Sequence, residues 1–332
     1  MGLLLSACCL LSSCAKEKVN ASEVNHPDWN EVAISEYTAR FEEAGTEFPS
    51  DMTSIGLFVS QDPDESMIGK TICMEDEEDP IYVTCSYIGP TTTLTLSVYY
   101  DYQQIPFRVG EKEDKVDTYS FQLNNREEIK VPMILDGLTS DEERHKLLFS
   151  VIGASDRHMS ELEEVADCVN ITHLCDLIYK ENQTDKMSFT LSKSTPERMF
   201  RCPEARNLVL NTDYENQELQ KNGYPALPKS VYPCKAGSTL ELMYTLRGVE
   251  TSETGLIFVT TDYEQVEING KDSLLFAVNT EDVCTGRLSI KVPEVPGLYD
   301  VIGYAVFDPT ALVDDVELHN VEISPRFTLQ VE

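Results

Sequence analysis

Basic residues are scarce in this chain of 332 residues: 26 Lys and Arg stand against 58 Asp and Glu, a formal net charge of −32. Phosphate binding needs clustered Lys and Arg, so this balance argues against a nucleic-acid partner and against docking on anionic lipid through a basic face. Long apolar runs are missing beyond the first thirteen residues, so no other segment reads as a membrane span. Tryptophan occurs once, at Trp29. The five histidines (His26, His145, His158, His173 and His319) form neither HExxH nor HxH, and there is no GxSxG, Walker loop or CxxC. The sequence therefore offers no catalytic residue, no metal-ligand set and no cofactor site. Two acidic runs, Asp62-Pro63-Asp64-Glu65 and Met74-Glu75-Asp76-Glu77-Glu78-Asp79, fit no EF-hand spacing and read as solvated loops.

What is present begins with an address. Leu3 to Leu11 form a short apolar run that ends in Leu11-Ser12-Ser13-Cys14, and a polar stretch from Ala15 to Asn25 follows at once. The run is too short for a stable transmembrane helix, and the small Ser12 and Ser13 suit a peptidase pocket. Leu11-Ser12-Ser13-Cys14 resembles the lipobox of bacterial lipoproteins. That resemblance implies a signal peptide over residues 1–13, lipid on Cys14, the bilayer as a partner and a place on the outer face of a bacterial cell membrane. The segment departs from the pattern in having no Lys or Arg before Cys14. The only SxxK match, Ser13 to Lys16, straddles the implied cleavage point. Residues 14–50 read as tether and lead-in.

Seven cysteines remain beyond Cys14: Cys73, Cys85, Cys168, Cys175, Cys202, Cys234 and Cys284. The number is odd, so at least one stays unpaired. Cys85 and Cys284 sit among strand-like residues and read as buried apolar thiols.

The chain also repeats itself. Asp101-Tyr102-Gln103-Gln104-Ile105 recurs as Asp262-Tyr263-Glu264-Gln265-Val266, and Phe121-Gln122-Leu123-Asn124 as Phe276-Ala277-Val278-Asn279. Ile129-Lys130-Val131-Pro132 recurs unchanged at Ile290-Lys291-Val292-Pro293, the segment Leu148–Gly153 as Leu298–Gly303, and Phe189-Thr190-Leu191 as Phe327-Thr328-Leu329. Five matches in one order imply two tandem copies, over 51–194 and 203–332. Each copy is rich in Thr, Val, Ile and Tyr with partial period-two alternation, and turn signals such as Gly89-Pro90 and Asn269-Gly270 punctuate them.

These features predict a mainly β protein of two tandem immunoglobulin-like β-sandwiches related by the repeat. Ile290 to Val301 resembles the corresponding stretch of immunoglobulin-like and fibronectin-like modules of bacterial surface proteins: a strand, a Pro-Gly turn, then Tyr299 opening the next strand as at a tyrosine corner. In the first copy that match sets Phe149 at the Tyr position.

The copies differ most at 155–182, which reads as a helical insertion in the first sandwich. Ser160-Glu161-Leu162-Glu163 has the form of a capping box, and Leu162, Val165 and Val169 form an apolar stripe that His173, Leu174, Leu177 and Ile178 continue. The stripe either covers a sheet edge or is displayed for recognition. The matching loop of the second copy, Phe307 to Pro325, carries Asp314 and Asp315. Leu162, Val165, Val169, Asp314 and Asp315 are thus the candidate binding surface.

The sequence points to a membrane-anchored surface protein with a non-enzymatic binding, adhesion or envelope-accessory role toward an unidentified protein or glycan. Two alternatives stay open: an accessory or catalytic protein acting on cell-wall or dietary polysaccharide, which would need paired carboxylates, and a structural spacer.

Overall fold

A computed structural model of the chain describes residues 32–36, 53–62, 70–112, 114–159, 169–179, 186–187, 189–202, 207–211, 231–249, 251–313 and 321–332. Every helix-or-strand element among them is a strand. The first half contributes β1 (Ala33–Glu36), β2 (Ser54–Ser60), β3 (Thr71–Met74), β4 (Ile81–Ile88), β5 (Thr92–Tyr100), β6 (Gln103–Gln104), β7 (Phe107–Val109), β8 (Lys115–Val116), β9 (Thr118–Leu123), β10 (Glu127–Leu135), β11 (His145–Gly153) and β12 (Asn170–Tyr179). The second contributes β13 (Arg198–Arg201), β14 (Leu208–Asn211), β15 (Val231–Cys234), β16 (Thr239–Arg247), β17 (Thr254–Thr261), β18 (Glu264–Val266), β19 (Leu274–Ala277), β20 (Asp282–Lys291), β21 (Gly297–Phe307), β22 (Val321–Ile323) and β23 (Phe327–Val331).

Each half is a two-sheet sandwich. The first stacks a sheet of order β2-β4-β10-β7-β8 on one of order β3-β12-β11-β5-β6; the second stacks β13-β20-β16-β14 on β15-β23-β21-β17-β18. In both, the closing strand runs antiparallel to a long central strand and parallel to a short early one: β12 lies between β11 and β3, and β23 between β21 and β15. That strand order is the immunoglobulin-like arrangement of two packed sheets. Additional edge strands occupy matching places: β1 pairs with the first four residues of β10, and β13 with the first four of β20.

Alternation along the central strands explains why their sequences read as continuous apolar runs. In β5, Leu94, Leu96, Val98 and Tyr100 enter the first core, while Tyr99 faces the other way. In β11, Leu147, Phe149 and Val151 face that core and Leu148 and Ile152 face away. In β21, Val301, Ala305 and Phe307 face the second core, and Ile302, Tyr304 and Val306 face away. The residues that face away from both cores meet in a third apolar cluster, where the two sandwiches pack sheet against sheet. A strand covered on both faces loses its alternation and becomes apolar throughout.

This double covering overturns the helical insertion. Asn170–Tyr179 is strand β12, paired antiparallel with β11 from His145↔Leu177 to Ile152↔Asn170. Cys175, Leu177 and Tyr179 point into the first core, and Leu174 joins the cluster between the sandwiches. Apolar residues on both faces create i, i+3 and i+4 spacings that mimic a helix stripe, and only strand pairing separates the two readings. Leu162 and Val165, the start of the expected stripe, lie outside the described residues.

Strand register also refines the repeat. The hairpin turns Asp101-Tyr102 and Asp262-Tyr263 have nearly identical left-handed backbones, φ 48° and 68° against 49° and 69°. They are two-residue loops of the kind that needs positive φ at both positions. Leu94 pairs with Phe121 as Gly255 pairs with Phe276, so those two matches are structurally equivalent. The identical Ile-Lys-Val-Pro segments are not. Ile129, third in β10, pairs with Cys85 in the middle of β4, whereas Ile290, near the end of β20, pairs with Leu240 near the start of β16. The fourth match is slipped too: Leu147 lies opposite Tyr100 as Val301 lies opposite Thr261, so Val301 corresponds to Leu147 and not to Val151.

Candidate functional site

The junction of the sandwiches obeys an approximate twofold axis that relates the two copies. Two glutamines at equivalent places sit on it. Gln104 N donates to Gln265 Oε1 at 2.6 Å, and Gln265 N donates to Gln104 Oε1 at 2.5 Å. Gln104 Nε2 donates to the carbonyls of Tyr263 and of Asp117, both at 3.0 Å. Gln265 Nε2 donates to the carbonyls of Tyr102 and of Asp272, again at 3.0 Å. Each amide is satisfied by one bond pattern repeated across the axis.

The strained turns serve the same junction. A tyrosine at positive φ is costly, and such backbones persist where the surroundings over-determine them. Here the left-handed turns aim two rings across the axis. Tyr102, fully buried, donates from Oη to Pro309 O at 2.6 Å, and Tyr263 donates to Ser155 O at 3.2 Å. Burial pushes both phenols upward; for Tyr263, Arg326 opposes the rise.

Behind each turn lies a buried charge, and the two have opposite signs. Asp101 N donates to Lys146 O as Asp262 N donates to Asp300 O, which makes Lys146 and Asp300 equivalent. Both are 1% exposed. Lys146 Nζ reaches Asp176 Oδ1 at 2.5 Å and also donates to Ala311 O of the second sandwich. Burial lowers the Lys146 pKa, and Asp176 acts against that fall. Asp300 accepts from Thr328 Oγ1 at 2.6 Å, lies 3.5 Å from Arg326 Nη1 and has His158 Nδ1 at 3.4 Å. Arg326 in turn donates to Gly153 O and Ala154 O of the first sandwich.

The loop after β11 and the loop after β21 complete a reciprocal clasp. Val313 N donates to Asp176 Oδ2 at 3.1 Å, and Met159 N donates to Thr328 Oγ1 at 2.9 Å. Each loop thereby closes over the buried polar group of the opposite sandwich. The apolar contact between them is complementary rather than symmetric. Phe258 and Tyr304 of the second sandwich stack at 4.7 Å and 5°, and Tyr304 Oη meets Ser150 Oγ at 3.0 Å. The first sandwich offers small Ser97 and Ser150 where the second offers Phe258 and Tyr304.

At the open end of the axis lies a cavity of about 360 Å³, lined by Gln103, Gln104 and Asp117 from the first sandwich and Glu264, Gln265 and Asp272 from the second. The register makes these three equivalent pairs: Gln103 with Glu264, Gln104 with Gln265, and Asp117 with Asp272. Gln103 Nε2 donates to Asp272 Oδ2 at 3.0 Å. Glu264, in the twofold-related place, has no amide to offer Asp117.

Of the residues named from sequence, Val169 is half-buried on the first core, and its carbonyl accepts from Gly153 N at 2.7 Å. Cys14, Leu162, Val165, Asp314 and Asp315 lie outside the described residues. Tyr299 donates to Val295 O, four residues upstream, at 2.9 Å, which is the hydrogen bond of a tyrosine corner. Its equivalent in the first copy is His145 rather than Phe149, and His145 Nε2 reaches Asp141, also four residues upstream, at 3.1 Å. The cavity and the paired glutamines were not read from sequence. A signal existed: Gln104 and Gln265 hold the same place in the matched hairpins, and a solvated turn gives no reason to repeat that amide.

No family model matches the chain, and no curated protein matches it. Among solved structures, it is similar to the C-terminal domain of the Streptococcus agalactiae AgI/II polypeptide BspA (7% identity, covering 84% of this chain and all of that one, TM-score 0.21). It is also similar to the fibronectin(III)-like modules of Clostridium thermocellum CbhA (9% identity, 84% and 93% covered, TM-score 0.19) and to the E. coli chaperone DraB (10% identity, 84% and 97% covered, TM-score 0.25). Overlaps this loose assign nothing to this chain; the strand order described above carries the fold assignment.

Proposed function

We propose that this chain is a bacterial surface lipoprotein, held to the outer face of a cell membrane by lipid on Cys14, with a non-enzymatic binding role. The residues between Cys14 and β1 act as tether, β1 and β13 join the sandwiches as edge strands, and the two sandwiches work as one body. The observation that carries the binding reading is the axial cavity, because each sandwich supplies three of its six lining residues and neither makes it alone. Sites at domain interfaces are common places for small ligands. The lipobox-like Leu11-Ser12-Ser13-Cys14 and the apolar run before it support the anchor. The clasp also suits a stiff spacer, since it ties both loops to the opposite sandwich.

Detergent phase partition of the expressed chain tests the anchor. The wild type should enter the detergent phase, and Cys14→Ala should move to the aqueous phase. Equal partition of the two would contradict the anchor while leaving the cavity untouched.

A further inference from the structure

We propose that Pro27-Asp28-Trp29, just ahead of the described residues, adds as a short strand to the open edge of β9, so that the chain's own lead-in closes the first sandwich. The second sandwich shows the pattern. Its linker crosses the edge of β19 before it becomes β13. Ser194 N donates to Leu275 O at 2.8 Å, Leu275 N donates to Ser192 O at 2.9 Å, and Lys193 lies parallel to Leu275. Glu197 N then donates to Thr285 O at 2.9 Å, and β13 follows on β20. The linker thereby pairs with an edge of each sheet in turn.

The described residues of the first sandwich carry only half of this arrangement. β1 pairs with the first four residues of β10, as β13 does with β20, but among the described residues nothing pairs with the outer edge of β9. Strand register fixes what belongs there. Asn124 bonds the Glu127 carboxylate as Asn279 bonds that of Asp282, so Glu127 and Asp282 are equivalent. Glu36 pairs with Glu127 and Arg201 with Asp282, which makes Glu36 the counterpart of Arg201. Ser120 lies opposite Thr95 as Leu275 lies opposite Leu256, which makes Ser120 the counterpart of Leu275. Lys193 stands eight residues before Arg201, and Asp28 stands eight before Glu36. The bridge asks for a carbonyl from position 27 and an N–H from position 29, and makes no use of the N–H at 27. Pro27, which has no N–H, meets that demand, and edge strands are where proline is tolerated. Trp29 supplies the N–H. A bare edge invites pairing with another chain, and covering it with a segment of the same chain removes that hazard. On the reading of Cys14 as the anchor, the free tether then spans only residues 15–26.

Amide hydrogen exchange of the full chain, resolved to single residues, tests the pairing, with Leu275 as the internal standard. The Ser120 N–H, donating to Pro27 O, should be protected like that of Leu275. Trp29→Pro, which removes the donor to Ser120 O, should speed exchange at Ser120 by about tenfold or more. It should leave Leu275 unchanged, which also shows that the variant is folded. Trp29 is the only tryptophan, so its fluorescence reports the same docking from the other side. Ser120→Pro, a change that an edge strand tolerates, should raise acrylamide quenching of Trp29 toward that of the chain in urea. An unprotected Ser120 in the wild type, or protection that survives Trp29→Pro, would overturn the proposal. Protection that grows with protein concentration would overturn it too, by making a second copy the occupant of the edge.

Discussion

The two sandwiches share a backbone plan and differ in what they place on it. Equivalent turns, loops and axial glutamines repeat almost bond for bond, yet the buried charge behind each turn is Lys146 in one and Asp300 in the other. The facing sheets follow the same rule: Phe258 and Tyr304 on one side meet Tyr99 and Ser150 on the other, while their own equivalents in the first sandwich are the small Ser97 and Ser150. Two copies of the second face would crowd Phe258 and Tyr304 together, a fault that costs stability in a close-packed interior. Duplication supplied a twofold frame, and divergence of side chains made each half fit the other better than itself.

The largest effect should come from weakening the buried charges, at a cost of up to about 3–5 kcal/mol, the figure for breaking a buried pair outright. Lys146→Ala leaves Asp176 with Arg144 Nη1 at 3.1 Å and Val313 N, and Arg326→Ala leaves Asp300 with Thr328 Oγ1 and the more distant His158, so each loses one partner and both should lower the urea midpoint by comparable amounts. Because each also ends a bond to the opposite sandwich, both should weaken the junction as well as their own domain. A large loss in one copy with little in the other would show that the equivalence is geometric only.

A smaller effect concerns His145, where the second copy has Tyr299. His145 Nδ1 lies 2.7 Å from Asp101 and Nε2 3.1 Å from Asp141. Burial lowers its pKa, but the bonds and charges of the two carboxylates outweigh burial and raise it above 6.5. A raised folded pKa means that the stabilisation is fully present below the unfolded value of about 6.5 and is lost as pH rises through the folded value. His145→Tyr, which copies the second sandwich, should flatten this part of the stability–pH curve. An unchanged curve in urea titrations from acid to mildly alkaline pH would contradict the assignment.

How much of this was legible depended on how local each feature is. The Asp-Tyr hairpins and the Phe121 and Phe276 strands were readable because turn chemistry and nearest-neighbour pairing constrain a few adjacent residues. Tyr299 could be placed for the same reason, its partner Val295 being four residues away. The Ile-Lys-Val-Pro segments misled because identical tetrapeptides fit more than one register when strands alternate with a period of two. β12 was hidden by its covering on both faces, a property of the junction and not of the segment. The cavity lay furthest from view, since its walls come from hairpins about 160 residues apart in sequence, paired by a symmetry that appears only on folding.

The central claim is that the reciprocal junction makes the two sandwiches one cooperative body, and differential scanning calorimetry tests it most directly. The account predicts a single transition for the wild type, with calorimetric and van't Hoff enthalpies in agreement, and its separation into two transitions when Gln104→Ala and Gln265→Ala are combined with Leu148→Ala. Two separable transitions already present in the wild type would contradict it.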